Sequence, residues 1–185
     1  MTVDTLPPYE TAEASLPGGT VVVVADPVTG AVVASGWKSL DATFGFLTEA
    51  EQSRGHRPAP RGDGATKAAV DALERYAAGD LDALDEVLVS QPGGPFLQKA
   101  WDELRGVKAG ETDSYAGLAE RAGSPAAVRA AGQACARNKV APFVPCHRIL
   151  RTDGTLGGYA YGLPVKAALL AHEGARPADE GTLFD

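Results

Sequence analysis

The run Val144-Pro145-Cys146-His147-Arg148 sets a thiol beside an imidazole, the pair from which a nucleophile and its base can be made. A free thiol has a pKa near ~8.5 and is only a few per cent thiolate at neutral pH, so an attacking cysteine needs help to lose its proton. Adjacent side chains usually point apart, and cysteine is common as a small buried residue, so the dipeptide alone says little. Its flanks say more. Pro142 and Pro145 bracket Phe143-Val144, which predicts a rigid, buried segment holding the sulfur in one direction, suited to attack on a single held electrophile. The only other cysteine, Cys135, reads as a small buried hydrophobe.

The elements that must position this segment are legible on both sides. Thr20–Ala25 and Ala31–Ser35 flank the turn signal Asp26-Pro27-Val28-Thr29-Gly30 and predict a hairpin, so a β-sheet opens the protein. Gln52 to Gly64, rich in Pro, Gly and Arg, reads as a loop, and residues 66–78 as a helix with Ala69, Val70, Leu73 and Tyr76 on its apolar side. Gln91-Pro92-Gly93-Gly94 marks a domain boundary. Beyond it, Phe96 or Leu97, Ala100, Trp101 and Leu104 form a helical stripe that ends before Gly106. Ser114 can cap a short helix that stops at Gly123. Ser124-Pro125 then restarts a helix to about Arg137, with Pro in the first turn where its missing N–H costs nothing.

Two helices joined by a tight turn form either a helix-turn-helix or a plain helical corner in a core. The second helix favours the former: Ala126, Ala127, Ala130, Ala131, Gly132 and Ala134 leave a thin surface, and Arg129 is the one long cation in its first turns. Arg148 to Tyr159 predicts a hairpin around Asp153-Gly154, the wing of a winged helix. A last helix, Val165 to His172, closes at Gly174. The fold class is therefore α+β (α/β), with an N-terminal sheet domain over 1–92, a C-terminal helical domain over 93–176 and an acidic tail over 177–185.

Length and composition bound the rest. The 185 residues with 44% hydrophobic content suit an ordinary buried core. No run approaches the roughly 18 apolar residues of a membrane span, and Met1 to Glu13 carries acids where a secretory signal needs bases, so the expected location is cytoplasmic. Two cysteines are too few for a disulfide framework, and the lack of any cysteine cluster in 1–92 predicts no metal and no second acceptor there. The formal charge of −7 argues against nucleic acid until its distribution is read. Residues 1–92 carry −8 and residues 177–185 carry −3, whereas 93–176 carries +4. The acidic excess lies outside the segment that holds Cys146.

Pro145-Cys146-His147-Arg148 resembles the active-site signature of the O6-alkylguanine-DNA alkyltransferases, also called methylated-DNA–protein-cysteine methyltransferases. The family's ordered elements recur as Phe96 and Trp101, Ser114-Tyr115 and Ala119, Ala127-Val128-Arg129-Ala130, Asn138, Gly154, Gly158-Tyr159, Gly162, Lys166, and Leu169-Leu170 with Glu173. The likeness spans residues 95–174; residues 1–92 resemble the family's RNase H-like N-terminal domain only weakly. It implies direct-reversal DNA repair, in which one alkyl group passes irreversibly from O6-alkylguanine in double-stranded DNA to Cys146, without a cofactor, in a monomer.

The resemblance also implies roles. His147 would take the thiol proton through a bridging water, with Glu173 holding the other imidazole nitrogen. Tyr115 would donate to the ring nitrogen of the leaving guanine. Carbonyls of Cys146 and Ile149 would accept from the exocyclic amine, the Ala160 N–H would face the alkylated oxygen, and Pro145 and Tyr159 would shape the pocket. The nucleotide must leave the stack to reach the sulfur, with Arg129 filling the gap and the Ala/Gly helix in the minor groove. Ala126, Ala127, Ala130, Ala131, Gly132, Arg148 and Arg151 complete the DNA-binding set, and Asn138 would brace the recognition helix against the active-site segment.

Lys139 and Ala141 stand at positions where the family commonly has Pro, and Tyr161 where Gly is usual, which predicts a looser pocket edge and a bulkier mouth. Two rivals remain open at this point. A binding protein that recognises alkylated DNA without repairing it would lack the acceptor cysteine. A cysteine hydrolase using Cys146 and His147 would need an oxyanion hole and would turn over.

Overall fold

A computed structural model of the chain describes residues 6–60 and 63–178. Residues 179–185 of the acidic tail and Met1–Thr5 lie outside the described residues.

Four strands form the first sheet, in the spatial order Val32–Gly36, Gly19–Ala25, Tyr9–Leu16 and His56–Pro58. β1 (Tyr9–Leu16) and β2 (Gly19–Ala25) pair antiparallel, as do β2 and β3 (Val32–Gly36). The hairpin turn closes with Gly30 N–H on Asp26 O at 2.7 Å, and Gly30 adopts φ +74°. The valine run of β2 is buried without alternation because both faces of the sheet are covered. Val21 and Val23 join the main core, while Val24 packs with Tyr9, Ala34 and Leu47 on the opposite face.

Two short helices follow, α1 (Leu40–Phe44) and α2 (Glu49–Gln52), the latter opened by a reciprocal Thr48–Glu51 capping box. The segment predicted as a loop then contains β4 (His56–Pro58), which adds parallel to β1 at the sheet edge, where a proline is tolerated. Helix α3 (Lys67–Ala77) lays Ala69, Ala72, Leu73 and Tyr76 on the sheet.

Beyond a 3-10 turn at Ala83–Glu86, α4 (Pro95–Gly106) buries Ala100, Trp101 and Leu104. Trp101 Nε1 donates to Ala134 O at 2.9 Å, tying this helix to the later one. β5 (Asp113–Ser114) leads into α5 (Tyr115–Arg121), whose cap is Ser114: its Oγ accepts from Gly117 N–H at 3.0 Å.

The next helix corrects the sequence reading. Ser124 to Ala127 forms a turn, with Ala127 N–H on Ser124 O at 2.8 Å, and α6 (Val128–Ala136) starts three residues later than Pro125. The predicted wing is also smaller than a hairpin. Arg151 N–H reaches Thr155 O and Gly154 N–H reaches Arg151 O, both at 2.9 Å, so the turn forms. No strand pair extends it among the described residues; β6 (Ile149–Leu150) instead runs parallel to β5. α7 (Leu163–His172) closes the fold.

One apolar cluster crosses position 92, with Val21, Leu73 and Tyr76 on one side and Leu104, Leu118, Cys146 and Leu169 on the other. Polar bonds cross it too: Ser35, fully buried, donates from its N–H to Lys139 O at 2.7 Å and from its Oγ to Ala141 O at 2.8 Å. Among the described residues no helix is long and apolar enough to cross a membrane.

Candidate active site

Residues 140–150 are buried without a break. Within them Cys146–Arg148 forms a single 3-10 turn, held by Arg148 N–H on Pro145 O at 3.1 Å. Cys146 is 6% exposed and opens onto a cavity of about 290 Å3, lined also by Tyr115, Gly132, Cys135, Ala136, Gly158, Tyr159 and Ala160. Burial pushes the thiol upward from its ordinary range; the Asn138 Nδ2–H bond to Sγ, at 3.3 Å, and the charge of Lys166 oppose that shift. The sulfur is therefore a thiol at neutral pH unless a base removes its proton.

The two residues that follow Cys146 enter a buried charged cluster. His147 Nε2 bonds Glu173 Oε1 at 2.9 Å, and both side chains are fully inaccessible. Arg148 grips the same carboxylate from Nε to Oε2 at 3.0 Å and from an NH2 group to Oε1 at 2.9 Å, while its other NH2 group donates to Val107 O at 2.6 Å. Tyr76, brought by α3, donates its hydroxyl to Glu173 Oε1 at 2.8 Å. Burial alone would raise the Glu173 carboxyl, but the hydrogen bond from His147 and the bonds and charge of Arg148 outweigh it and hold the group well below the usual carboxylate range. Burial pushes His147 below its ordinary value, against the pull of Glu173. The imidazole is thus neutral, and the permanent cation that keeps Glu173 ionised is Arg148. His147 Nδ1 is buried and has no hydrogen-bond partner among the described residues, so the imidazole keeps one nitrogen available to accept a proton.

The cavity walls come from three other elements. Tyr115, at the start of α5, is half-buried and burial raises its phenol. Its Oη sits over Gly157, where an added Cβ would come within 3.2 Å. Tyr159 packs edge-on to Trp37 and Tyr161, with ring centroids 6.4 and 5.5 Å away. Lys166 is fully buried and donates to the carbonyls of Ile149 at 2.6 Å, Leu156, and Gly158 at 3.3 Å, which pins the loop carrying Tyr159 and Ala160. Ile149 itself is fully buried, and its carbonyl accepts the Lys166 bond. Tyr161 does not line the Cys146 cavity. It faces a neighbouring groove of about 380 Å3 and donates its hydroxyl to Ser35 O at 3.0 Å, over Gly36, where an added Cβ would lie 2.1 Å from that oxygen. The predicted bulk at the mouth is spent on a tie to β3.

The DNA-facing set divides. Ala126, Arg129 and Arg151 are exposed, and Ala127, Ala130 and Gly132 are half-buried. Ala131 is not on that surface: it is fully buried, and with Ala134 it forms the core side of α6. Arg148 is the larger correction. It is 2% exposed and three of its nitrogens are engaged inside the protein, so its cation neutralises Glu173 rather than a phosphate. Asn138 is buried; it donates to Val144 O at 2.7 Å and joins the end of α6 to the active-site segment. Tyr76 and Gln91 were missed as site residues. A tyrosine on the buried stripe of a helix, whose hydroxyl needs a partner, was the one available signal.

Residues 95–175 match the family described as 6-O-methylguanine DNA methyltransferase, DNA binding domain. The methylated-DNA–protein-cysteine methyltransferase of Mycobacterium tuberculosis (strain H37Rv) is 43% identical over 136 residues, covering 73% of this chain and 80% of that protein. The enzyme of the same name from Shigella flexneri is 41% identical over 104 residues, covering 56% of this chain and 61% of its own length. A crystal structure of M. tuberculosis OGT in complex with DNA superposes with a TM-score of 0.71 at 32% identity, over 96% of this chain and 99% of that one.

Proposed function

The chain belongs to the methylated-DNA–protein-cysteine methyltransferases, which repair alkylated DNA by direct transfer to a cysteine of their own, and we propose that Cys146 is the acceptor and that the residues around its cavity divide the chemistry as follows. His147 receives the thiol proton at Nδ1 through a bridging water. A raised thiol and a neutral imidazole are the protonation states this step starts from. Glu173 holds Nε2 and stabilises the imidazolium as it forms.

The sulfur then attacks the alkyl carbon. One S–C bond forms, the O6–C bond breaks, and the guanine leaves carrying a proton on its ring nitrogen, donated by Tyr115; the thiol proton taken up by His147 then replaces it, so both side chains regain their starting states. The carbonyls of Cys146 and Ile149 accept from the exocyclic amine, the Ala160 N–H faces O6, and Pro145 and Tyr159 shape the wall. The thioether does not hydrolyse, so each molecule acts once.

A sulfur at the foot of a cavity cannot reach a base inside a duplex, so the nucleotide is extruded. Arg129 occupies the gap, and the outer face of α6, from Ala126 and Ala127 through Ala130 and Gly132, approaches the minor groove with Arg151 on the flanking phosphates. In this reading residues 93–176 are a winged helix-turn-helix domain built on α5 and α6, residues 1–92 an RNase H-like domain, and the protein a cytoplasmic monomer on double-stranded DNA.

The observation that carries the proposal is that Cys146, Tyr115 and Tyr159 share one cavity, while His147, the next residue in the chain, is held by Glu173 at 2.9 Å. The test is intact mass before and after incubation with duplex DNA containing O6-methylguanine. A stoichiometric gain of one methyl, abolished in Cys146→Ala, is expected; a folded protein that gains nothing, or gains it elsewhere, would overturn the assignment.

A further inference from the structure

Asn138 presents a donor to the sulfur, and nothing in the shape of its side chain requires that. The two ends of a carboxamide are almost the same size, so its partners decide which end faces where. With the oxygen toward Sγ, a forming thiolate would meet a lone pair; with the NH2 group there, it meets a hydrogen-bond donor.

The partners that decide are traceable to backbone N–H groups, which can only donate. Val140 N–H donates to Asn138 Oδ1 at 3.1 Å. Lys139 N–H donates to Gln91 Oε1 at 2.8 Å, which leaves the NH2 end of Gln91 facing Asn138, and that group donates to Asn138 Oδ1 at 3.2 Å. Asn138 Nδ2 is left to donate to Val144 O at 2.7 Å and to Cys146 Sγ at 3.3 Å. Gln91 is 7% exposed and is held at its backbone too, where its carbonyl accepts from Gln98 Nε2 at 2.7 Å. Two donors on one amide oxygen draw electron density from the far nitrogen and strengthen its N–H bonds, an effect that grows where water is excluded.

We propose that Gln91 is a positioning residue for the reaction: it fixes and polarises the Asn138 amide so that a hydrogen-bond donor always faces the sulfur of Cys146. This rests on Cys146 being the acceptor. Gln91 lies in the stretch joining the two halves of the chain, so residues 1–92 contribute to the reactivity of a thiol placed in the other half.

The experiment reads the titration of Cys146 in the full chain, by following iodoacetamide labelling of the Cys146 peptide by mass spectrometry from pH 6 to 10, alongside methyl transfer from O6-methylguanine duplex. Gln91→Leu should move the labelling profile upward by about one pH unit, which is about tenfold slower labelling near neutral pH with little change at the alkaline limit. Gln91→Glu keeps the acceptor for Lys139 N–H but, once ionised, sets an oxygen against Asn138 Oδ1; it should shift the profile at least as far in the same direction. Methyl transfer near neutral pH should fall in proportion. A lowered melting temperature with an unmoved labelling profile in either variant would overturn the proposal and leave Gln91 a packing residue. Because iodoacetamide needs no DNA, that outcome is distinct from failure of the repair assignment, which would appear as no methyl transfer to Cys146 in the unaltered protein.

Discussion

Arg148→Met is the substitution whose outcome separates two uses of one cation. Methionine keeps most of the side chain's length and removes the guanidinium. As an internal counter-ion, Arg148 makes three hydrogen bonds to Glu173 and Val107, all in a region closed to solvent. Removing one partner of such a buried pair costs about 3–5 kcal/mol, because the other is left as an uncompensated charge. In a chain of 185 residues each kcal/mol lowers the melting temperature by roughly 2–4 °C, so a fall of about 6–20 °C is expected. As a phosphate contact, the same residue would instead set the salt dependence of DNA binding, and its loss would reduce the slope of log K against log salt by about 0.9. Thermal unfolding and a salt titration of binding to undamaged duplex measure both. The structure predicts a large drop in melting temperature and an unchanged salt slope. A variant that melts within a degree of the parent while its slope falls by about one would refute the reasoning. Adding Glu173→Gln should restore part of the lost stability, since the stranded charge goes with it.

Arg129→Ala should slow repair of duplex DNA far more than reaction with a free alkylated base, because only the duplex requires extrusion; equal losses, measured by single-turnover kinetics on both substrates, would contradict that role. Stability should also fall in acid. Both His147 and Glu173 have folded values below their ordinary 6.5 and 4.5, so the unfolded chain binds the extra protons: their stabilisation is complete above those values and is lost as pH falls through the folded ones. Urea unfolding midpoints should decline below about pH 6.5 and more steeply below about pH 4.5; a midpoint unchanged from pH 7.5 to 3.5 would be inconsistent with the buried cluster.

What the sequence disclosed was local chemistry, and what it concealed was burial. Ser114 announced α5 because a cap is read from a few neighbouring residues. The same logic placed a helix start at Ser124-Pro125, yet those residues spend their bonds on a turn, and α6 begins at Val128, where the core side of the helix, Ala131 and Ala134, first meets α4. β1 escaped notice because Glu10 and Glu13 interrupt its apolar pattern. Glu10 is nonetheless buried, held by Arg57 and by Ala65 N–H, two partners that lie far along the chain. Arg148 next to a reactive cysteine in a basic segment reads as a phosphate ligand, and only its three-dimensional surroundings reverse that. Gln91, flanked by Pro92, Gly93 and Gly94, looked like punctuation between domains for the same reason.

The core that crosses position 92 bears on how the protein is made. A ribosome releases residues 1–92 first, with Ser35 and Tyr76 already in place in the chain but with their partners, Lys139, Ala141 and Glu173, still to be synthesised. Until then the sheet and α3 lack the neighbours that complete their packing. The nascent amino-terminal half therefore completes these contacts only once Glu173 has been synthesised, so Cys146 is translated before the last of the groups that surround it.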